Sequence, residues 1–185
     1  MKVLCLACLM VLPCGVVHAG WLAGLAKVNI TPKEPVPLAG YGGKTRLSNR
    51  VEHPIWIKAL ALRDDAGSTA VLITADLVGL SAKMVARISR MAQAKHGVPR
   101  ERLILNTSHN HSCPVTEDVL WLYYEFTPEE AAVKDRYTEQ VYAWYDELIG
   151  QAIANLEPAG LCFEQGLAGI AVNRRRSRGP ESRAL

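Results

Sequence analysis

The sequence predicts an α/β layered domain with a mixed sheet flanked by helices. Two observations lead there. Strand-type runs and helix-type periodicities alternate in the order strand, strand, strand, helix, strand, helix, strand, and such interleaving is the mark of a layered α/β fold. The second helical stretch also carries a long apolar stripe, Tyr137, Val141, Trp144, Leu148 and Ala152, at spacings of four, three, four and four.

Taken in order, residues 23–30 alternate loosely, with β-branched Val28 and Ile30, and read as a strand closed by Thr31-Pro32. Residues 35–43, with two prolines and several small residues, read as a loop. Residues 55–62 are apolar on both faces and predict a buried strand, ended by the turn Asp64-Asp65-Ala66-Gly67. A further apolar strand over 70–75 enters Asp76. Ser81 can cap a helix running to about His96, with Met84, Val85, Ile88, Met91 and Ala92 on one face and Gly97 as the stop. Residues 103–106 form a short buried strand that leads straight into Thr107-Ser108-His109. Thr127-Pro128-Glu129-Glu130 combines a cap, an N1 proline and a glutamate at the third helical position, so the long helix starts there and stops before Pro158. Residues 161–172 read as the last strand.

Ahead of this domain, Lys2 gives a positive start and residues 3–17 an apolar run broken only by Pro13 and Gly15. Val17-His18-Ala19 offers a cleavage site, so residues 1–19 are predicted to be a secretory signal peptide, too short and too poorly flanked for a membrane span. The mature chain is expected to be secreted or periplasmic. A lipoprotein anchored at Cys14 ranks second, because Pro13 is an awkward neighbour for a lipidated cysteine. Nothing else in the sequence has the length and apolarity of a transmembrane segment. The domain is expected over 20–175, followed by a disordered basic tail over 176–185.

Three of the five cysteines lie in the signal, leaving Cys113 and Cys162, which excludes a disulfide framework but leaves one bridge open. The net charge of +3 comes from five arginines in the last thirteen residues; the body between signal and tail has 15 basic and 17 acidic residues. No basic face interleaved with aromatics is present, so nucleic acid is not an expected partner. Nucleophile-elbow, phosphate-loop and dinucleotide motifs are missing too.

The sharpest feature is Asn106-Thr107-Ser108-His109-Asn110-His111-Ser112-Cys113-Pro114. In an extended segment two histidines separated by one residue point to the same side. Imidazole is the commonest neutral metal ligand, and such a pair can share a zinc or divide ligand and acid–base work. The position, just past the C-terminal end of a buried strand, is where α/β folds place their sites. His53, before Pro54, reads as a loop histidine satisfied by backbone, with contact to the site as the alternative. Asp76 reads either as a support for a ligand histidine or as a cap for a nearby loop. His96 sits at a helix C-terminus, where a cation is favoured, and Trp144 and the tyrosines of the long helix read as core.

Several further motifs surround this segment: Gly24-Leu25-Ala26-Lys27-Val28-Asn29-Ile30-Thr31-Pro32, Leu38-Ala39-Gly40-Tyr41-Gly42, His53-Pro54-Ile55-Trp56, Thr74-Ala75-Asp76-Leu77-Val78-Gly79 and Ala171-Val172-Asn173-Arg174-Arg175. In order, spacing and type they resemble the N-terminal domain of the neutral/alkaline, non-lysosomal ceramidases. The resemblance implies hydrolysis of the amide of ceramide or another N-acyl lipid, with one zinc ion held by two histidines, a glutamate and a tyrosine. It makes His109 a zinc ligand, His111 a residue of the site needed for activity, and Asn173 and Arg174 a pair at the substrate end of the pocket. Asn110 and Cys113 stand where that family usually has Thr and Gly, and Cys113 adds a side chain beside the expected metal. The other zinc ligands of the family lie beyond residue 185. The chain is therefore expected to be incomplete relative to the family, to bind zinc weakly or not at all, and to be inactive alone. The alternative is a secreted, non-catalytic binding or envelope protein that retains the scaffold.

Overall fold

The structure, a computed structural model, describes residues 20–44 and 46–169. The predicted signal peptide, the tail over 176–185, and Asn173 and Arg174 lie outside the described residues. Within 20–160 the chain forms seven strands and two helices: β1 (Trp21–Asn29), β2 (Gly43–Lys44), β3 (Trp56–Arg63), β4 (Thr69–Ala75), α1 (Ala82–His96), β5 (Leu103–Thr107), β6 (Tyr124–Glu125), α2 (Pro128–Ala154) and β7 (Glu157–Ala159). Short 3-10 turns cover Arg100–Arg102 and Trp121–Tyr123.

Five strands make one sheet in the order β5-β4-β3-β1-β7, and β2 pairs with β6 separately. β1, β3 and β4 are joined antiparallel, whereas β4 and β5 run parallel. The parallel pair follows from the connection, because a chain that leaves β4 and returns in the same direction needs a crossover, which α1 supplies. The sheet is mixed, as the sequence predicts.

Both helix starts follow the local chemistry. The Ser81 hydroxyl accepts from the Met84 N–H at 3.2 Å, and Gly97 closes α1 in the left-handed region at φ 66°. Thr127 and Glu130 form a reciprocal capping box at the head of α2, with Pro128 in the first turn. The apolar faces of both helices pack on one side of the sheet. Ile57, Ala59 and Ala61 of β3, Val71, Ile73 and Ala75 of β4 and Leu103 of β5 are buried beneath Met84, Ile88 and Ala92 of α1 and Val141, Tyr145, Leu148, Ile149 and Ala152 of α2. Gly24 lets α2 approach β1, since a Cβ there would run into the Ala152 carbonyl and the backbone at Asn155.

Three expectations need correction. The last strand is β7 at Glu157–Ala159, paired antiparallel with β1, while residues 161–169 carry no strand and 170–172 lie outside the described residues. Pro158 reads as a helix stop, yet β7 is an edge strand, and an edge tolerates a residue without an N–H. Second, β3 is buried on one face only. Its other face joins a row Leu25–Leu60–Leu72–Ile104 set by the strand registers, and Leu25 and Ile104 are 69% and 57% exposed. Third, the buried stripe of α2 runs through Tyr145, and Trp144 is half-buried beside it. Among the described residues no helix is long and apolar enough to cross a membrane.

Candidate functional site

The parallel pairing of β4 and β5 brings their C-terminal ends side by side, and the pairing continues beyond the strands. The Ser108 N–H donates to the Ala75 carbonyl at 3.0 Å, and the Asn110 N–H to the Leu77 carbonyl at 3.3 Å. Between those two bonds His109 takes φ 55°. Few residues other than glycine adopt this left-handed conformation, and it costs free energy that the surroundings must offset. The segment is therefore not extended, as its spacing suggests. A left-handed turn, rather than strand alternation, brings the two imidazoles together.

Their Nε2 atoms stand 3.0 Å apart, with ring centroids 4.6 Å apart and planes at 71°. His109 Nδ1 lies 2.7 Å from the Val78 carbonyl oxygen. A carbonyl only accepts, so Nδ1 carries the proton and Nε2 of neutral His109 holds a lone pair. That lone pair receives the Nε2–H of His111. A backbone carbonyl on the far nitrogen is the arrangement that orients metal-ligating histidines.

A second layer holds His111. The expected loop over 35–43 runs beside residues 113–115: the Ala39 N–H donates to the Cys113 carbonyl and the Val115 N–H to the Pro37 carbonyl, both at 2.8 Å, around an antiparallel bridge between Leu38 and Pro114. Gly40 follows at φ 106°, and a Cβ there would strike the α- and β-carbons of His111. The Gly40 N–H donates to the Tyr124 hydroxyl at 2.9 Å, and the Tyr41 ring meets His111 nearly perpendicular at 5.4 Å between centroids. Gly40 thus sits where only glycine fits, clamped from behind by a phenol 84 residues away. Reading residue types for chemistry misses Gly40, Tyr41 and Tyr124; the one sequence signal is the Leu38-Ala39-Gly40-Tyr41-Gly42 run.

The remaining candidates divide. Asp76 ties β4 to the start of β3, its carboxylate accepting from the Trp56 N–H at 2.9 Å, so it caps backbone and the Val78 carbonyl orients His109 instead. His53 lines a cleft of about 600 Å3 with Asn49, Arg50, Asn110, Ser112 and Pro114. His96 joins the helices through Asp146, at 2.8 Å, away from the histidine pair. Cys113 points into the core with its thiol donating to the Asn110 carbonyl at 3.0 Å. Burial pushes that thiol up to about 12, so with no metal beside it the group stays a neutral thiol.

The donor set can be tested for zinc. Two imidazole nitrogens on one tetrahedral zinc lie roughly 3.3 Å apart at bond lengths of about 2.0–2.1 Å, close to the observed 3.0 Å. Among the described residues no third His, Cys, Asp or Glu joins them. The pair fits zinc as part of a donor set and not as a whole one, since at least three protein ligands are the rule.

No protein-family model matches the chain, and no curated protein matches it. Among solved structures the chain is similar to the neutral ceramidase from Pseudomonas aeruginosa, with a TM-score of 0.61 and 21% identity over 76% of this chain. The match covers 22% of that protein's chain. At this identity the likeness is one of fold: this chain has the fold of part of a neutral ceramidase.

Proposed function

We propose that this unit contributes one side of a zinc-dependent amide-hydrolysing site that acts on ceramide or another N-acyl lipid. The observation that carries the reading is the locked histidine pair at the C-terminal ends of β4 and β5, with His109 Nδ1 committed to the Val78 carbonyl and its Nε2 lone pair facing His111. The likeness in fold to a neutral ceramidase supports the choice of substrate class.

In this reading His109 holds the metal through Nε2 and His111 moves protons beside it. Zinc, when bound, would polarise the amide carbonyl and make a bound water more acidic. His109 Nε2 has one lone pair, so it either receives the His111 N–H or binds metal, and loading the site frees His111 Nε2. That freed nitrogen is the group that would exchange a proton with the reacting amide. Asn173 and Arg174 are proposed to bind the polar end of the substrate. In this reading the described residues supply one metal donor, His109 Nε2, so the remaining ligands have to come from outside them.

The test measures bound zinc and amide hydrolysis of an N-acyl lipid in the longest natural protein that contains this chain. His109→Ala should lose both metal and activity. His111→Ala should keep most of the metal and lose at least about a hundredfold in kcat, the range of a general acid–base group. Full zinc occupancy after His109→Ala sinks the ligand assignment.

A further inference from the structure

Between the buried residues Val119 and Tyr124 the chain makes a tight 3-10 turn that puts four large apolar side chains outward in succession. Leu120 is 39% exposed, Trp121 65%, Leu122 76% and Tyr123 59%. The turn is braced. Leu120 takes the left-handed conformation at φ 57°, and its carbonyl accepts from the Tyr123 N–H at 2.8 Å, while the Trp121 N–H donates to the Asp118 carbonyl at 3.3 Å. A backbone held in a costly conformation only to expose a tryptophan and a leucine has no rationale within this unit. Their burial elsewhere would gain free energy.

We infer that the Leu120–Tyr123 turn is a tip that inserts into a lipid surface. The feature is a short convex turn, which suits shallow insertion, whereas peptides are bound by grooves or sheet edges. Its chemistry is that of an interfacial anchor. Leucines carry the apolar contact, and Trp and Tyr pair an apolar ring with a polar edge that sits at headgroup level. No charge interrupts residues 119–124. Asp118 and Glu125 flank the turn, Glu117 being paired with Lys83, and no Lys or Arg occurs within residues 117–125, so the surface it fits is zwitterionic rather than anionic. The tip also adjoins the histidine pair. Gly42 passes so near the Tyr123 ring that a Cβ there would stand 3.0 Å from Cδ1, and the preceding residue, Tyr41, is 62% exposed and packs against His111. A lipid layer met by the tip lies next to the imidazoles. The inference goes beyond the hydrolytic reading and does not depend on metal.

The test uses the full chain and vesicles of brominated phosphatidylcholine, whose bromines quench tryptophan only at the bilayer. The chain has four tryptophans. Quenching should be clearly larger in wild type than in Trp121→Phe, and Leu122→Ser should weaken vesicle partitioning at least about tenfold through the lost apolar contact. Both side chains are exposed, so the fold is not at stake. Unquenched emission, or equal quenching in wild type and Trp121→Phe, overturns the inference. The second result would give the contact to another surface, such as the open sheet face that carries Trp56. Zinc content and hydrolysis are measured separately, so failure here leaves the hydrolytic reading standing, and the reverse.

Discussion

Tyr145 is fully enclosed in the core, and among the described residues its hydroxyl has no hydrogen-bond partner. Burial alone drives the phenol well above its ordinary pKa, so it remains a neutral hydroxyl set among apolar side chains. Such a group costs about 1–3 kcal/mol, and deleting the oxygen while keeping the ring removes that cost. Tyr145→Phe should therefore be stabilising by about 1 kcal/mol, read as a higher urea midpoint with an unchanged m-value. A lower midpoint would show that the hydroxyl has a partner. The histidine pair gives the opposite lesson about single residues. His109-Asn110-His111 is legible as a pair from sequence, because imidazoles one residue apart invite a joint role. The left-handed turn that joins them is not legible, since it is imposed by bonds to Ala75 at the end of β4 and to Leu77 just beyond it, some thirty residues earlier. Gly40 and Tyr124 are hidden for the same reason: neither stands in a chemical motif with the histidines, and their meaning lies in what they touch.

At the scale of elements, the join between α1 and α2 depends on charges at its exposed rim. Arg87 makes a bidentate pair with Glu139 at 2.6 Å and lies over the Tyr142 ring, while Lys95 and His96 converge on Asp146. Burial works against the charge on Asp146, but the hydrogen bonds from Lys95 and His96 outweigh it and hold the carboxyl below its ordinary value of 3.8. A carboxylate with a depressed folded pKa contributes stability that is present above its unfolded value and lost as pH falls through the folded one. Asp146→Asn should thus lower the melting temperature at neutral pH, and the gap to wild type should close as pH drops below about 4. A gap of constant size from pH 7 to pH 3 would remove the charge from the explanation. The helices themselves were readable, because caps and stripes are local: Ser81, Gly97, Thr127 and Glu130 act within a turn of where they stand. β7 was not, because three residues carry no period, and only the neighbouring edge of β1 makes them a strand.

The whole unit is a two-layer structure, with helices on one face of the sheet and the row Leu25–Leu60–Leu72–Ile104 across the other. The alternation of β3 and β4 reveals two apolar faces, but sequence does not say how many layers of chain cover them. An open aliphatic row next to the edge strand β5 favours self-association. The chain should bind a hydrophobic dye and associate at roughly micromolar concentration. Leu25→Lys with Ile104→Lys should suppress both, while Trp121→Phe leaves both in place. A monodisperse wild-type monomer that binds no dye would mean that this face is covered.

The clamp behind His111 also has a consequence for the order in which the protein comes into being. Leu38 meets Pro114 and Gly40 meets Tyr124, so the frame around the pair closes only when chain positions far apart are both available. The β1–β3–β4 meander is complete by residue 75, and both histidines have been synthesised by residue 111. A ribosome that has stopped between 111 and 124 holds a chain with every atom of the imidazoles and without the phenol that fixes Gly40 against them. The histidines belong to the sequence from residue 111 onward; the site belongs only to chains that have been translated past residue 124.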